Sequence, residues 1–219
     1  MMFLYEIYDQ LLNQPRLIYK ILMWCIIDYI LCKLFKNMSS KPLRFTSYVL
    51  SIINTNYFIL LNNRTNVLAY YIYDLIIILD YSNIHYIIHH IITIYLLLLP
   101  TSHIDYKLIY IGLKYIKISD LFLWYNKVIE LSYMEKNNYI IARTLRIIFI
   151  SISIVLWIYY RIFISFILLI NINSIEVFIP SCMLFMANLR WLCKMINLLV
   201  NLLYSIYEYY YDYVNKKNT

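Results

Sequence analysis

The sequence predicts an all-α fold, a polytopic transmembrane helical bundle, and three features predict it. Of 219 residues, 63% are hydrophobic and 14% are charged, and the mean hydropathy is +0.65. A water-soluble domain carries roughly 25% charged residues, and a chain of this size cannot hide so much apolar surface in one water-bounded core. One glycine and four prolines leave a β-barrel short of the turn residues its hairpins need. The apolar stretches are Ile, Leu and Tyr runs, not alternations, and in hydrocarbon a helix satisfies its own backbone hydrogen bonds. An ordinary soluble enzyme and a disordered chain are both excluded.

A span takes about 20 mostly apolar residues, and seven segments are candidates. The first, 18–35, runs from Ile18 to Phe35. The second, 46–62, carries Ser51, Asn54 and Asn56. The third, 66–82, is shorter and holds Asp74. The fourth, 84–100, opens on His85, His89 and His90 and stops at Pro100, which cannot continue a helix. The fifth, 106–127, is the most polar, with Lys114, Lys117, Ser119 and Asp120. The sixth, 144–171, is long enough to tilt or to outrun the bilayer. The seventh, 175–203, carries Asn188, Arg190, Trp191 and Lys194. Ahead of them all, Glu6, Asp9, Pro15 and Arg16 argue for a short amphipathic segment and against a cleaved signal peptide.

The net charge of +7 reads as loop charge beside anionic lipid. No basic reader module is present, so no nucleic-acid partner is expected. If seven spans alternate, Lys33, Lys36, Lys41 and Arg44 fall on the same side as Lys127, Lys136, Arg143 and Arg146, and as Lys216 and Lys217. Arg16, Arg64 and Lys107 fall on the other. The excess of Lys and Arg on cytoplasmic loops then puts the C-terminus in the cytoplasm. The four cysteines form no CxxC and lie in apolar segments. They read as small core residues, and neither a disulfide frame nor a metal site is expected.

That topology gathers Asp74, His85, His89, His90 and Asp120 at similar depth. An ionisable group inside a membrane is expensive, about 2.5–3.5 kcal/mol for Asp on insertion scales, and is a functional candidate by default. Adjacent on a helix, His89 and His90 point about 100° apart, whereas His85 and His89 share a face. One histidine can serve as a general base while the other orients a partner; the alternative is a pair hydrogen-bonded at a helix start. Asp74 and Asp120 either orient the histidines or pair with Lys117, Lys127 or Arg161. Asn54, Ser119, Arg161, Asn188 and Lys194 read as interhelical hydrogen bonds, with Arg161 also able to hold an anionic head group. Trp124, Trp157 and Trp191 suit interface belts or bundle packing.

The order of these residues resembles a known family. Tyr70-Tyr71-Ile72-Tyr73-Asp74, then His89-His90-Ile91-Ile92-Thr93, then Ser119-Asp120 with Lys127, is similar to the pattern of the TLC domain. That domain is shared by translocating-chain-associated membrane proteins and ceramide synthases. Trp157 with Arg161, and Asn188, Trp191 and Lys194, resemble the aromatic–Arg and Asn-x-x-Trp-x-x-Lys of its last two helices. Ser51-Ile52-Ile53-Asn54 resembles an upstream Ser-x-x-His with Asn in place of His.

The resemblance implies a six-helix barrel-like core preceded by an N-terminal span. It divides the chain into 1–43, an N-terminal segment with the first span; 44–205, the TLC-like domain; and 206–219, a polar tail. It also implies residence in the endoplasmic reticulum and membrane lipids as partners, with other membrane proteins as further ones. Three functions are open. The first is binding, sensing or handling of lipids. The second is N-acyl transfer of ceramide-synthase type, with acyl-CoA as co-substrate, no resident cofactor, and His89, His90, Asp120 and Asp74 as catalytic residues. The third is a translocon-associated helper. Asn54, Ser119, Lys127, Arg161, Asn188, Trp191 and Lys194 would line the lipid pocket or hold it together. Where ceramide synthases carry His-Asp-x-Ser-Asp, this chain has Ile116-Lys117-Ile118-Ser119-Asp120, and no proline follows Phe166. These departures favour the first function over the second.

Overall fold

Pro15 and Pro42 open the first two helices, where a proline's missing N–H is no loss and its fixed φ suits a first turn. In the computed structural model, residues 15–39, 41–61, 64–79, 84–132 and 138–218 are described. Within them the side chains of Pro15, 57–61, Ile78, His85 and 212–218 are not. The expected amphipathic N-terminal segment, the side chain of His85 and Lys136 therefore lie outside the described residues.

The described residues are all-α. Seven helices follow one another: α1 (Pro15–Leu34), α2 (Pro42–Leu61), α3 (Arg64–Ile78), α4 (Ile84–Leu98), α5 (Tyr106–Leu131), α6 (Tyr139–Ile170) and α7 (Ile175–Asn218). Each of the seven predicted segments falls on one helix. α7 runs on through 206–218, where a polar tail was expected; no glycine or proline stands there to stop it. In α6 the stretch Trp157–Ile164 widens into a π-helix, a form frequent at functional sites.

Side-chain staples show that successive helices alternate in direction. At one end Ser39 Oγ donates to the Leu131 carbonyl at 2.5 Å, and Arg143 reaches Ser205. These join the α1–α2 connection to the end of α5, and the start of α6 to the late part of α7. At the other end Arg64 Nε and Nη2 donate to the carbonyls of Leu97 and Leu99, both at 2.7 Å, neutralising the partial negative charge at the end of α4. There too His103 meets Glu176 at 3.0 Å, and Asp105 accepts from the backbone N–H groups of Asn173 and Ser174. Gly112 lets α6 press closely on α5: a Cβ there would stand 2.9 Å from Leu168 Cδ1.

Two helices among the described residues are long and apolar enough to cross a membrane, Tyr139–Ile170 and Ile175–Tyr211. By this measure the seven-span count is not reached. α3 and α4 have 15 residues each, about 22 Å at 1.5 Å per residue, against a hydrocarbon core of about 30 Å. α5 carries Lys107, Lys114, Lys117, Asp120, Lys127 and Glu130. Apolar cores are buried as in any domain, but apolar side chains are also exposed and charge is buried to an extent unusual for a water-soluble one. Val155, Tyr159, Phe163, Phe166 and Ile170 stand exposed along α6, and Ile175, Ile179, Met183 and Met186 along α7. Lys117, Asp120, Arg146 and Arg161 are buried.

Candidate functional site

Polar and aromatic side chains, with a few apolar ones on α7, recur at helical spacing and turn inward together. On α2 they are Arg44, Ser47, Tyr48 and Ser51; on α5, Lys117, Asp120, Trp124 and Lys127; on α7, Trp191, Lys194, Met195 and Leu198. Offsets of three, four and seven put each set on one helix face. α3 adds Tyr70, Tyr71 and Asp74, α4 adds Tyr86, His89 and His90, and α6 adds Trp157 and Arg161. Together they enclose a cavity of about 470 Å³, within the usual range for a small-molecule site. Its described lining comes from α2 to α7. α1 packs behind α3, with the Trp24 and Tyr70 rings edge to face at 5.2 Å.

The two histidines have different surroundings. His90 Nδ1 lies 2.9 Å from the Tyr86 carbonyl, which can only accept, so Nδ1 carries a proton. His90 Nε2 lies 2.7 Å from Asp74 Oδ2, and that bond needs one proton between them: imidazolium with carboxylate, or imidazole with carboxylic acid. Either way the pair is neutral as a unit and both His90 nitrogens are engaged. His89 faces the same cavity, 4.8 Å from the Trp191 ring, and its Nδ1 is buried with no hydrogen-bond partner. Thr93, one turn on, returns its hydroxyl to the His89 carbonyl.

Arg161 ties three helices together. It is 1% exposed. Its Nε donates to Ser119 Oγ at 2.9 Å, its Nη1 to Asn188 Oδ1 at 2.8 Å, and its Nη2 to Asp120 Oδ1. The guanidinium stacks 3.9 Å over Trp157, whose indole N–H donates to the Asn188 carbonyl at 2.9 Å. A buried guanidinium is tolerable when its donors and its charge are matched in this way.

Lys117 is 4% exposed. Its ammonium lies 4.3 Å over the Tyr71 ring and 5.6 Å from Tyr70. Ten residues along α5, Lys127 pairs with Glu130 at 2.8 Å, and Glu130 also meets Arg146 at 3.4 Å. Tyr48 and Trp124 stack between these levels at 5.4 Å, and the Trp124 indole nitrogen is buried with no partner. Arg44, Lys127 and Lys194 form the cavity's rim.

The structure thus brings Asp74, His89, His90, Ser119, Asp120, Arg161, Asn188 and Trp191 to the walls of one cavity or to the residues that brace it, with Lys127 and Lys194 at its rim. Asn54 is not among them: it is buried on α2 with both amide atoms unpartnered, where an interhelical hydrogen bond was expected. Asp120 takes Arg161 and Asp74 takes His90; neither takes Lys117 or Lys127. Trp124, Trp157 and Trp191 all line the cavity: Trp191 where the resemblance put it, Trp157 also packed in the bundle, and none of the three on an interface belt alone. Missing from the sequence-based set are Lys117 as a wall residue, Tyr70, Tyr71, Tyr48 and Arg44; the signal available was the spacing Lys117, Asp120, Trp124, Lys127. No protein-family model matches the chain, and no curated protein and no solved structure matches it.

Proposed function

We propose that the chain is a multi-pass membrane protein whose region 44–205 forms a TLC-like lipid-handling domain, binding or sensing a lipid in the cavity of α2 to α7. One observation carries this reading: charge is buried around a cavity while Ile, Phe, Tyr and Met cover the outside. An apolar exterior of this extent is an aggregation liability in water and is solvent-matched in hydrocarbon. Alternation of the helices would put the connections carrying Lys33, Lys36, Lys41, Arg143 and the C-terminus in the cytoplasm, with the endoplasmic reticulum as the membrane. Fractionation tests the first half: the chain should resist alkaline extraction, and a C-terminal tag should be reached only from the cytoplasmic side. Native mass spectrometry of protein extracted from membranes tests the second and should find bound lipid. A soluble chain, or a lipid-free cavity under gentle extraction, overturns the reading.

The second reading, an N-acyltransferase, is favoured by His89. Its unpartnered Nδ1 beside the neutral His90–Asp74 pair suits a general base. In that reaction an amine would attack the thioester carbonyl of acyl-CoA, an amide would form, the thiol would leave, and His89 would take the ammonium proton. Acyl-CoA with a sphingoid base should then give ceramide, and His89→Ala should abolish it. Retained lipid without turnover leaves the binding reading standing alone.

A further inference from the structure

We propose, building on the lipid-handling reading, that the ligand of this cavity is an amphiphilic monoanion, a long-chain carboxylate, whose charged end rests against Lys117. The charges of the cavity floor decide its sign. Asp120 is matched by Arg161, and Asp74 and His90 are neutral as a unit. One charge is left over at that level, the Lys117 ammonium, which is buried and among the described residues has no carboxylate partner; its neighbours are the faces of Tyr70 and Tyr71 and the Tyr71 hydroxyl, a neutral hydrogen-bond partner that leaves the charge unmatched. A cation–π contact returns less than an ammonium buried without a counter-charge loses in hydration. An anion brought by a ligand closes that gap, and a single negative charge balances it; a dianion would leave one charge buried in turn.

Two more features point the same way. His89 Nδ1 and Trp124 Nε1 are buried at the cavity wall with no partner, and an indole N–H can only donate, so two turns along α5 from Lys117 the wall again favours an acceptor on its way in. Glu130 meets Lys127 at the rim, but Arg44 and Lys194 stand there too, and the net positive balance favours anions at the mouth. Between rim and floor, the Tyr48–Trp124 stack and the Tyr86–Trp191 pair, 5.3 Å apart, form an aromatic passage for an apolar body.

The experiment uses the full chain in lipid nanodiscs and reads quenching of its tryptophans, several of which line the cavity, on titration with oleate, methyl oleate, acetate and a lysophosphatidic acid. Oleate should bind at least about tenfold more tightly than its neutral ester. Lys117→Met should erase that preference, and Lys117→Arg, which keeps the charge, should retain it within a few-fold and show that the fold survives. Equal binding of acid and ester, or a preference untouched by Lys117→Met, overturns the charge assignment while lipid handling stands. Acetate competing as well as oleate overturns the amphiphile, and lysophosphatidic acid binding more tightly overturns the single charge. Binding of none of these lipids overturns both this inference and the reading on which it rests.

Discussion

Arg161 and Lys117 are both cations buried at the same cavity, and they are treated in opposite ways. Each guanidinium nitrogen of Arg161 donates to an acceptor on α5 or α7, and its charge meets Asp120. Lys117 has the faces of Tyr70 and Tyr71 and the Tyr71 hydroxyl but no counter-charge, and elsewhere on the same cavity wall two polar atoms, on His89 and Trp124, meet nothing. A buried polar group is normally satisfied, and each exception asks for a reason. The closed cluster holds α5, α6 and α7 in register; the open one is where a ligand has something to gain. Stability and ligand binding should therefore separate when the two are perturbed.

The largest loss of stability should come from Arg161→Met. It leaves Asp120 buried without its counter-charge, and breaking a buried pair from one side costs about 3–5 kcal/mol. The double variant Arg161→Met with Asp120→Asn should recover much of that, because the orphaned charge is gone. Thermal melts in one detergent would show it; a double variant no better than the single would mean that the pair's charge is not what the fold depends on.

A second closed cluster lies in the α4–α5 connection, outside the spans. Burial pushes the Asp105 carboxyl up, but hydrogen bonds from the Asn173 and Ser174 backbones, the Ser174 hydroxyl and the Asn173 amide outweigh it and hold the group below its ordinary value. A carboxyl held low in the folded state contributes its stability in full above the ordinary value of about 3.9 and loses it as pH falls through the lowered one. Asp105→Asn should therefore cost on the order of 2 kcal/mol near neutral pH, from charge-assisted bonds lost. The two melting curves should converge as the pH drops below that ordinary value. A gap that stays constant with pH would assign the loss to shape and not to charge.

Much of this was legible in the sequence and some was not, and the division is physical. The apolar runs marked all seven helices, because length and hydropathy are local properties. The pairing of Lys127 with Glu130, three residues apart on one helix, is equally local, but it went unread because Lys127 was weighed against Asp74 and Asp120. Which carboxylate meets which base across the bundle is not local: Asp120 faces Arg161 and not Lys117 because of the rotational phase of α5 against α6, which the π-helical stretch Trp157–Ile164 alters. The buried carboxylate Asp28 on α1 passed unremarked for the related reason that nothing in its own helix marks which face turns inward. Asp74→Asn tests a pairing of this kind. His90 Nδ1–H stays on the Tyr86 carbonyl, so the amide that the substitution introduces can donate to Nε2 and replace the lost bond. The loss should be about 1 kcal/mol, and a proton-sensitive signal from His90 in histidine NMR should change far more than the melting temperature.

His89 gives the smallest expected effect on folding and the clearest separation. Its Nδ1 has no partner to lose, and glutamine keeps a polar end of similar reach, so His89→Gln should cost only the edge-to-face contact with Trp191, about 0.5–1 kcal/mol. Against that background its effect on the ligand stands out. If the open cluster is the binding end of the cavity, His89→Gln should weaken bound lipid severalfold and, if the protein is an acyltransferase, remove turnover altogether, while Arg161→Met in its stabilised double form should leave more of the binding intact. The reverse ranking, with His89→Gln damaging the fold and sparing the ligand, would mean that the unpartnered imidazole is a packing element and that the cavity's business is done elsewhere along its wall.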